Sequence, residues 1–129
     1  MRPSWDDFFA GLAEYYSTMA TCSRRKVGAV VARDKLVLGL GFNGVAAGKK
    51  HCTEGGCPRG LMGPEVPPGA DYNLYPCKAI HAEANAIYMA GIGKCVDATI
   101  YVTEEPCQQC LNLIERENIG RIVVYRPGD

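Results

Sequence analysis

The chain has 129 residues, and its 14 basic and 14 acidic side chains give a formal net charge of zero. This length fits one domain over residues 1–129 with a proper core, and the neutral balance argues against a protein that binds duplex DNA or long RNA. No apolar run is long enough for a membrane-spanning helix and no signal-peptide pattern opens the chain, so we expect a cytoplasmic protein.

The first predicted element is a helix that begins after Ser4. Ser4 is suited to the N-cap position, and Asp6 and Asp7 follow in the first turn, where negative charge favours a helix start. Apolar side chains then recur at helical spacing and predict a face that lies in the core. These side chains are Trp5, Phe8, Phe9, Leu12, Tyr16 and Met19.

Two short β-rich runs follow, over residues 27–32 and 36–40. The residues between them, Arg33, Asp34 and Lys35, predict a hairpin. Gly41 and Gly44 on either side of Asn43 indicate backbone bends at the end of the second strand.

Residues 45–77 are rich in glycine and proline, and we interpret them as an insert in the domain. A loop of this length in a compact domain is usually functional or disordered, and something must hold it in place. The chain has seven cysteines, and in a cytosolic protein such a number more often indicates metal binding than disulfides. Three of them, Cys52, Cys57 and Cys77, lie in the insert, and Cys22 lies just ahead of the first strand. We expect these four cysteines to hold the insert, and the alternative is a set of free buried thiols.

The second half of the chain alternates helices with strands. Helices are predicted over residues 79–90 and 107–118, and strands over 98–103 and 121–125. The whole order predicts an α/β protein with three α/β/α layers, in which helices pack on both faces of a mixed sheet. The two later helices should lie side by side.

Two short motifs supply metal ligands at the starts of these later helices. They are His81-Ala82-Glu83 and Pro106-Cys107-Gln108-Gln109-Cys110. A catalytic zinc usually takes three protein ligands and keeps one position open, so His81, Cys107 and Cys110 predict such a site. Helix starts also favour thiolates. Glu83 remains as a carboxylate off the metal, and without the other motif it would be an ordinary first-turn acid.

These motifs resemble those of the cytidine and deoxycytidylate deaminase superfamily, and most closely its dCMP deaminase branch. The resemblance covers most of the chain. It includes Cys22 before Val27-Gly28-Ala29-Val30, the turn Gly41-Phe42-Asn43-Gly44, the run from His81 to Ile87, and Tyr101-Val102-Thr103 before the second motif. It implies a cytidine-deaminase-like fold.

The resemblance also implies an activity, the hydrolytic deamination of dCMP to dUMP and ammonia for thymidylate precursor synthesis. A zinc-activated hydroxide would attack C4 of the cytosine ring, while Glu83 takes the proton from water, delivers it to ring N3 and then protonates the departing ammonia. In the family, the backbone N–H at the position of Ala82 holds the pyrimidine O2, and the asparagine matching Asn43 reaches the nucleoside. A simple turn asparagine is the other interpretation of Asn43.

In relatives of this branch a second, structural zinc binds in the region of the insert. Cys22 and Cys52 match its ligand positions, and Cys57 and Cys77 complete the proposed site, with His51 as the alternative ligand. Such a site would fix the insert and contribute folding energy.

Substrate and partner contacts are less sharply indicated. Arg24, Arg25 and Lys26 follow Cys22 and are candidates for a 5′-phosphate contact, against the alternative of a solvated basic turn. Tyr101, Thr103 and Glu105 flank the second motif and are further candidates for sugar or phosphate contacts. The resemblance implies a homo-oligomer between dimer and hexamer, a nucleotide substrate and no membrane partner.

Other functions remain open at this point. They are deamination of a 5-modified dCMP, deamination of another nucleobase such as guanine or tRNA adenosine, and a non-catalytic zinc-stabilised or competence-type accessory role. The intact Glu83 favours an enzyme, because a purely structural zinc domain has no need of that carboxylate.

Overall fold

The computed structural model describes residues 2–20, 25–44 and 81–124. The insert over 45–77 lies outside these ranges, and so do several predicted ligands and contacts: Cys22, Arg24, His51, Cys52, Cys57 and Cys77. In the described ranges the elements are, in chain order, α1 (Trp5–Ser17), β1 (Gly28–Arg33), β2 (Leu36–Phe42), α2 (Ala82–Ala90), β3 (Thr99–Val102), α3 (Gln108–Arg116) and β4 (Arg121–Val124).

The strands of the described residues form one mixed sheet in the order β2-β1-β3-β4. β1 pairs antiparallel with both β2 and β3, while β3 and β4 run parallel. The hairpin between β1 and β2 turns on Asp34 and Lys35, whose φ angles of 54° and 67° match a two-residue type I′ turn. The predicted hairpin and mixed sheet are confirmed.

Helices cover both faces of the sheet. α1 packs on one face through Phe9, Ala10 and Ala13. α2 and α3 lie together on the other face, where Ala86 and Ile114 belong to the same apolar cluster. The predicted three-layer α/β/α arrangement is therefore confirmed. No helix in the described part of the chain combines the length and apolar character needed to cross a membrane.

The aromatic side of α1 is only partly buried, and the prediction was wrong on this point. Phe9 is 3% exposed, whereas Trp5, Phe8 and Met19 are 41%, 48% and 62% exposed. The carbonyl group of Ala13 lies directly against Gly28 of β1, where a Cβ would overlap it. Small residues bring the helix close to the sheet at this contact, so its largest side chains lie at the flanks.

Glycines in β2 allow α2 to lie equally close on the other face. A Cβ on Gly41 would overlap the carbonyl oxygen of Ala82 and lie 2.5 Å from the backbone nitrogen of Ala86. A Cβ on Gly39 would meet the carbonyl oxygen of Ala86 in the same way. Backbone therefore packs against backbone, as a strand glycine permits, and this contact places the first turn of α2 over the end of β2.

Candidate active site

The predicted metal ligands lie at the starts of the two neighbouring helices. His81 is the N-cap residue of α2 and Cys107 is the N-cap residue of α3, and both have extended backbones. The helices therefore begin at Ala82 and Gln108, later than the predicted starts at 79 and 107. Cys110 lies in the first turn of α3 and is buried.

Neither of these N-cap side chains caps its own helix. At the start of α1, by contrast, Ser4 Oγ accepts a hydrogen bond from the backbone N–H of Asp7 at 3.1 Å. Such a cap typically stabilises a helix by about 1 kcal/mol. The starts of α2 and α3 forgo this stabilisation, which indicates that His81 and Cys107 serve another purpose.

The three predicted ligand atoms lie at the spacing of a tetrahedral metal site. His81 Nδ1 is 3.5 Å from Cys107 Sγ and 3.4 Å from Cys110 Sγ, and all three atoms lie within 4.8 Å of one another. A tetrahedral zinc ion with bonds of about 2.3 Å to sulfur and about 2.0 Å to nitrogen would hold nitrogen and sulfur about 3.5 Å apart. The residues fit zinc in both chemistry and distance.

The carboxyl group of Glu83 lies beside this group of ligands. Glu83 is in the first turn of α2, is 4% exposed, and lies close enough to Cys110 for its charge to act on the thiol. Burial raises the pKa of that thiol far above its ordinary value, and the charges of Glu83 and Cys107 raise it further. Coordination to a divalent cation acts in the opposite direction, because a coordinated thiol is deprotonated. The arrangement is therefore suited to a cation.

Ala82 lies between the predicted metal ligand His81 and Glu83 and is fully buried. As the first residue of α2, it has a backbone N–H without an acceptor inside its own helix. The position is therefore compatible with the predicted contact between this N–H and the pyrimidine O2, which stays a prediction.

The first turn of α2 is also tied to β2 by a hydrogen bond. Asn85 Nδ2 donates to the carbonyl oxygen of Phe42 at 2.8 Å, and the bond is partly buried. Asn85 belongs to the run from His81 to Ile87, and no role for it was predicted from the sequence. One feature of the sequence could have indicated this role. Asn85 is a polar residue on the side of the helix that faces the sheet, where glycines let the helix pack closely.

Asn43, the predicted nucleoside contact, holds the segment before β1. Its Oδ1 accepts a hydrogen bond from the Val27 N–H at 2.8 Å, and its Nδ2 donates to the Arg25 carbonyl at 2.8 Å. Asn43 is 8% exposed. The structure thus gives Asn43 a bonding role that goes beyond a turn residue, and the nucleoside contact stays a prediction.

Arg25 and Lys26 are exposed, and Arg25 is engaged in an ion pair. Its Nε donates to Glu104 Oε2 at 2.6 Å. Glu104 precedes the Pro-Cys-x-x-Cys motif, so the pair joins the segment before β1 to the connection that leads into α3. Thr103 adds a second tie, because its Oγ1 accepts a hydrogen bond from the Gly28 N–H at 3.1 Å. A phosphate contact by Arg25 or Lys26 stays a prediction.

Tyr101 does not join the ligand group. It lies in the apolar cluster beneath α1, and its hydroxyl group donates to Asp6 Oδ1 at 2.8 Å. Arg121 binds the same carboxylate through both terminal nitrogens, at 3.0 Å and 2.6 Å. The residues on either side of Tyr101 in β3, Ile100 and Val102, lie in the apolar cluster with α2 and α3 on the other face of the sheet. Tyr101 therefore belongs to the opposite face of the sheet and is removed as a candidate for substrate contact.

Comparison with known proteins agrees with this site. A family model described as "Cytidine and deoxycytidylate deaminase zinc-binding region" matches residues 3–126. The chain is 45% identical over 124 residues to a protein named deoxycytidylate deaminase from Mycobacterium phage D29, which covers 95% of this chain and 94% of that protein. It is 36% identical over 126 residues to the deoxycytidylate deaminase of Saccharomyces cerevisiae, which covers 95% of this chain and 38% of the yeast protein.

The fold is similar to a solved structure, that of dCMP deaminase from the cyanophage S-TIM5 in complex with dCMP and dUMP. The TM-score is 0.70 at 24% identity, over 95% of this chain and 81% of the other. At this identity the likeness bears on the fold alone, and it agrees with the α/β architecture. Because the family model spans nearly the whole chain and includes the three predicted zinc ligands, the chain belongs to the cytidine and deoxycytidylate deaminase family.

Proposed function

We propose that this protein catalyses the zinc-dependent hydrolytic deamination of dCMP, which consumes water and yields dUMP and ammonia. The observation that carries the proposal is the group formed by His81, Cys107 and Cys110 with the buried Glu83 beside it. We propose dCMP in preference to other cytosine compounds because similar proteins are named deoxycytidylate deaminase. One of them, the phage protein, has nearly the length of this chain. The product dUMP is a precursor for thymidylate synthesis.

His81, Cys107 and Cys110 are the proposed ligands of the catalytic zinc. A zinc ion held there supplies the Lewis acidity that makes water a competent nucleophile near neutral pH. The protein contributes rigid placement, because His81 and Cys107 are fixed by helix starts and Cys110 by burial. Three protein ligands leave room for a further small molecule at a tetrahedral ion.

Glu83 is the proposed proton carrier. Its carboxylate takes one proton from the attacking water and delivers it to ring N3. It then takes the second proton from the hydroxyl group formed on C4 and passes it to the amino group, which leaves as ammonia as the C4–N bond breaks and the C4 carbonyl group forms. Its burial separates this transfer from bulk water, and its place two residues after His81 keeps it close to the ligands. The backbone N–H of Ala82 is proposed to hold the pyrimidine O2 and so to orient the ring.

The rest of the nucleotide is proposed to meet residues near the start of β1. Asn43 would contact the nucleoside, and the basic residues Arg24, Arg25 and Lys26 would contact the 5′-phosphate. Support comes from charge and exposure, since Arg25 and Lys26 are exposed cations on the segment that Asn43 holds. Engagement of Arg25 by a phosphate would compete with its ion pair to Glu104.

A second zinc is proposed for the insert over residues 45–77. Its ligands would be Cys22, Cys52, Cys57 and Cys77, with His51 as the alternative, and it would close a site that stabilises the domain. Metal analysis of the purified protein should then give about two zinc ions per chain. A value near one would contradict the second site. We also propose a single domain over residues 1–129, a homo-oligomer of two to six copies, and a cytoplasmic location.

The proposed activity is tested with a panel of substrates. The purified protein is incubated with dCMP, CMP, dCTP, deoxycytidine, a 5-substituted dCMP, guanine and a tRNA that carries the target adenosine, and ammonia release is measured. We expect the highest kcat/KM for dCMP, with dUMP as the product. A higher kcat/KM for guanine or tRNA would replace the proposal with another deaminase, and no turnover of any compound would favour an accessory role.

A further inference from the structure

We propose that Asn85 is a positioning residue for the active site. Its hydrogen bond to the carbonyl group of Phe42 fixes the first turn of α2 relative to the sheet, and with it the positions of His81 and Glu83. The kinetic part of this inference rests on the proposed function, whereas its spectroscopic part depends only on metal binding by His81, Cys107 and Cys110.

Asn85 makes bonds in two directions at the start of α2. Its backbone N–H donates to the carbonyl oxygen of His81 at 3.0 Å, which is the first turn of the helix. Its side chain Nδ2 donates to Phe42 at the end of β2 at 2.8 Å. One residue therefore joins the N-cap that carries a metal ligand to the strand on which the helix lies.

The apolar contacts of α2 do not define its position along β2 as closely. A Cβ on Gly41 would overlap Ala82 and lie 3.0 Å from the Cβ of Asn85, so the helix rests on bare backbone at this point. The glycine and alanine contacts set the distance between α2 and the sheet. Because these residues have small side chains, they offer little resistance to a shift of α2 along β2. An amide-to-carbonyl hydrogen bond has a narrow range of distance and angle, and it therefore fixes the register.

The acceptor is itself held in place. Phe42 is followed by Asn43, whose side chain is hydrogen-bonded to the backbone of Val27 and of Arg25 in the segment before β1. The end of β2 is thus part of a hydrogen-bonded unit, and Asn85 connects α2 to that unit. Since the ligands come from two helices, an error in the placement of α2 directly changes the distances between His81 Nδ1 and the two sulfur atoms.

The first test compares Asn85→Ala with Asn112→Ala. Asn112 is the matched control, because it is an exposed asparagine on the other ligand helix. Among the described residues its side chain bonds only within its own helix, where it accepts a hydrogen bond from Gln108 Nε2 at 2.9 Å. We expect Asn85→Ala to lower kcat for dCMP by about 10- to 100-fold with little change in KM, as for residues that orient metal ligands. Asn112→Ala should keep both constants.

The second readout is the visible absorption of the protein loaded with Co²⁺ in place of zinc, which reports the geometry of histidine and thiolate ligation. Any insert site contributes equally to wild type and variant, so the difference spectrum isolates the site at His81. We expect altered band positions or intensities in Asn85→Ala and none in Asn112→Ala. A wild-type kcat, or a wild-type Co²⁺ spectrum, in folded Asn85→Ala would overturn the proposal.

Asn85→Asp decides the matter if the alanine variant does not fold. It has nearly the same shape and puts negative charge in the first turns of α2, where the helix dipole favours it, but it lacks the N–H donor that Phe42 needs. We expect the same fall in kcat and an altered Co²⁺ spectrum, and wild-type values of either would contradict the role. If wild-type protein does not turn over dCMP, the proposed function fails while the spectra still test Asn85.

Discussion

The two faces of the sheet each hold a group of interacting polar side chains, and the groups differ in charge balance. Beneath α1, Asp6 accepts hydrogen bonds from Tyr101 and Arg121, so its negative charge has a cationic partner within the protein. On the face of α2 and α3, burial and the charges of Glu83 and Cys107 all raise the pKa of the Cys110 thiol. The second group is the one that a divalent cation would complete.

This difference separates a stabilising group from a reaction site. The hydrogen bond from Arg121 holds the pKa of Asp6 below its ordinary value, and burial, together with the bond to Asp6, raises the pKa of Tyr101 to about 12. Neither side chain changes protonation near neutral pH, so the α1 group offers no proton there. A side chain with a shifted pKa indicates a functional site only when its surroundings also allow it to bind a ligand or transfer a proton.

The largest expected effect comes from removing a ligand on the α2–α3 face. Cys110→Ser should abolish deamination and lower the zinc content by about one ion per chain, because a hydroxyl group is a poor zinc ligand beside a thiolate. Cys95→Ser is the matched control, since Cys95 is also fully buried but lies in the apolar cluster. It should keep its zinc and its kcat when folded. Zinc content and ammonia release measured on both variants check this expectation, and full zinc in Cys110→Ser would contradict it.

A smaller effect is expected from adding a methyl group where a helix meets the sheet on each face. In both Gly41→Ala and Gly28→Ala the new Cβ would overlap a helix carbonyl, that of Ala82 or Ala13. Each should cost roughly 1–3 kcal/mol of unfolding free energy through overpacking. Only Gly41→Ala displaces a ligand helix, so it should also lower kcat at equal zinc occupancy. Denaturant unfolding and kinetics on both variants test this, and equal kcat losses would contradict the assignment of the faces.

The smallest expected effect is on the α1 face and depends on pH. The lowered pKa of Asp6 means that its contribution to stability is present at neutral pH and is lost as pH falls below about 4. Asp6→Asn should lower Tm by a few degrees at pH 7 without changing kcat, since the side chains of Asp6 and Arg121 are 38% and 55% exposed and exposed pairs contribute little. The difference in Tm should shrink between pH 5 and pH 3. If the difference in Tm stayed the same across this pH range, the contribution of Asp6 to stability would not depend on its negative charge.

Much of this architecture follows from the sequence because local signals and global packing agree. Ser4 as the N-cap of α1, the turn at Asp34 and Lys35, and the pairing of the His81 motif with Cys107 and Cys110 are all readable from residue type and spacing. The spacing of cysteines at helix starts is sufficient because one turn of helix already brings Cys107 and Cys110 to the same side.

The sequence was less informative where contacts between distant residues determine which side chains are buried and how the elements are joined. Helical spacing placed Trp5 and Phe8 in the core, but the close contact of Ala13 with Gly28 selects a different buried face. The bond from Asn85 to Phe42 joins residues 43 positions apart and has no local pattern. The N-caps of α2 and α3 gave no cap signal either, because histidine and cysteine are not typical N-cap residues and neither side chain makes a cap hydrogen bond.

The most direct test of the account is the turnover of dCMP by Glu83→Gln at measured zinc content. The amide keeps the shape of the buried side chain but cannot accept and release the proton, so kcat should fall by about 10²- to 10⁴-fold while zinc remains at the wild-type level. Asp6→Asn, the acid on the opposite face, serves as the control and should turn over normally. Wild-type turnover in Glu83→Gln with full zinc would contradict the proposed proton transfer and the central claim that depends on it.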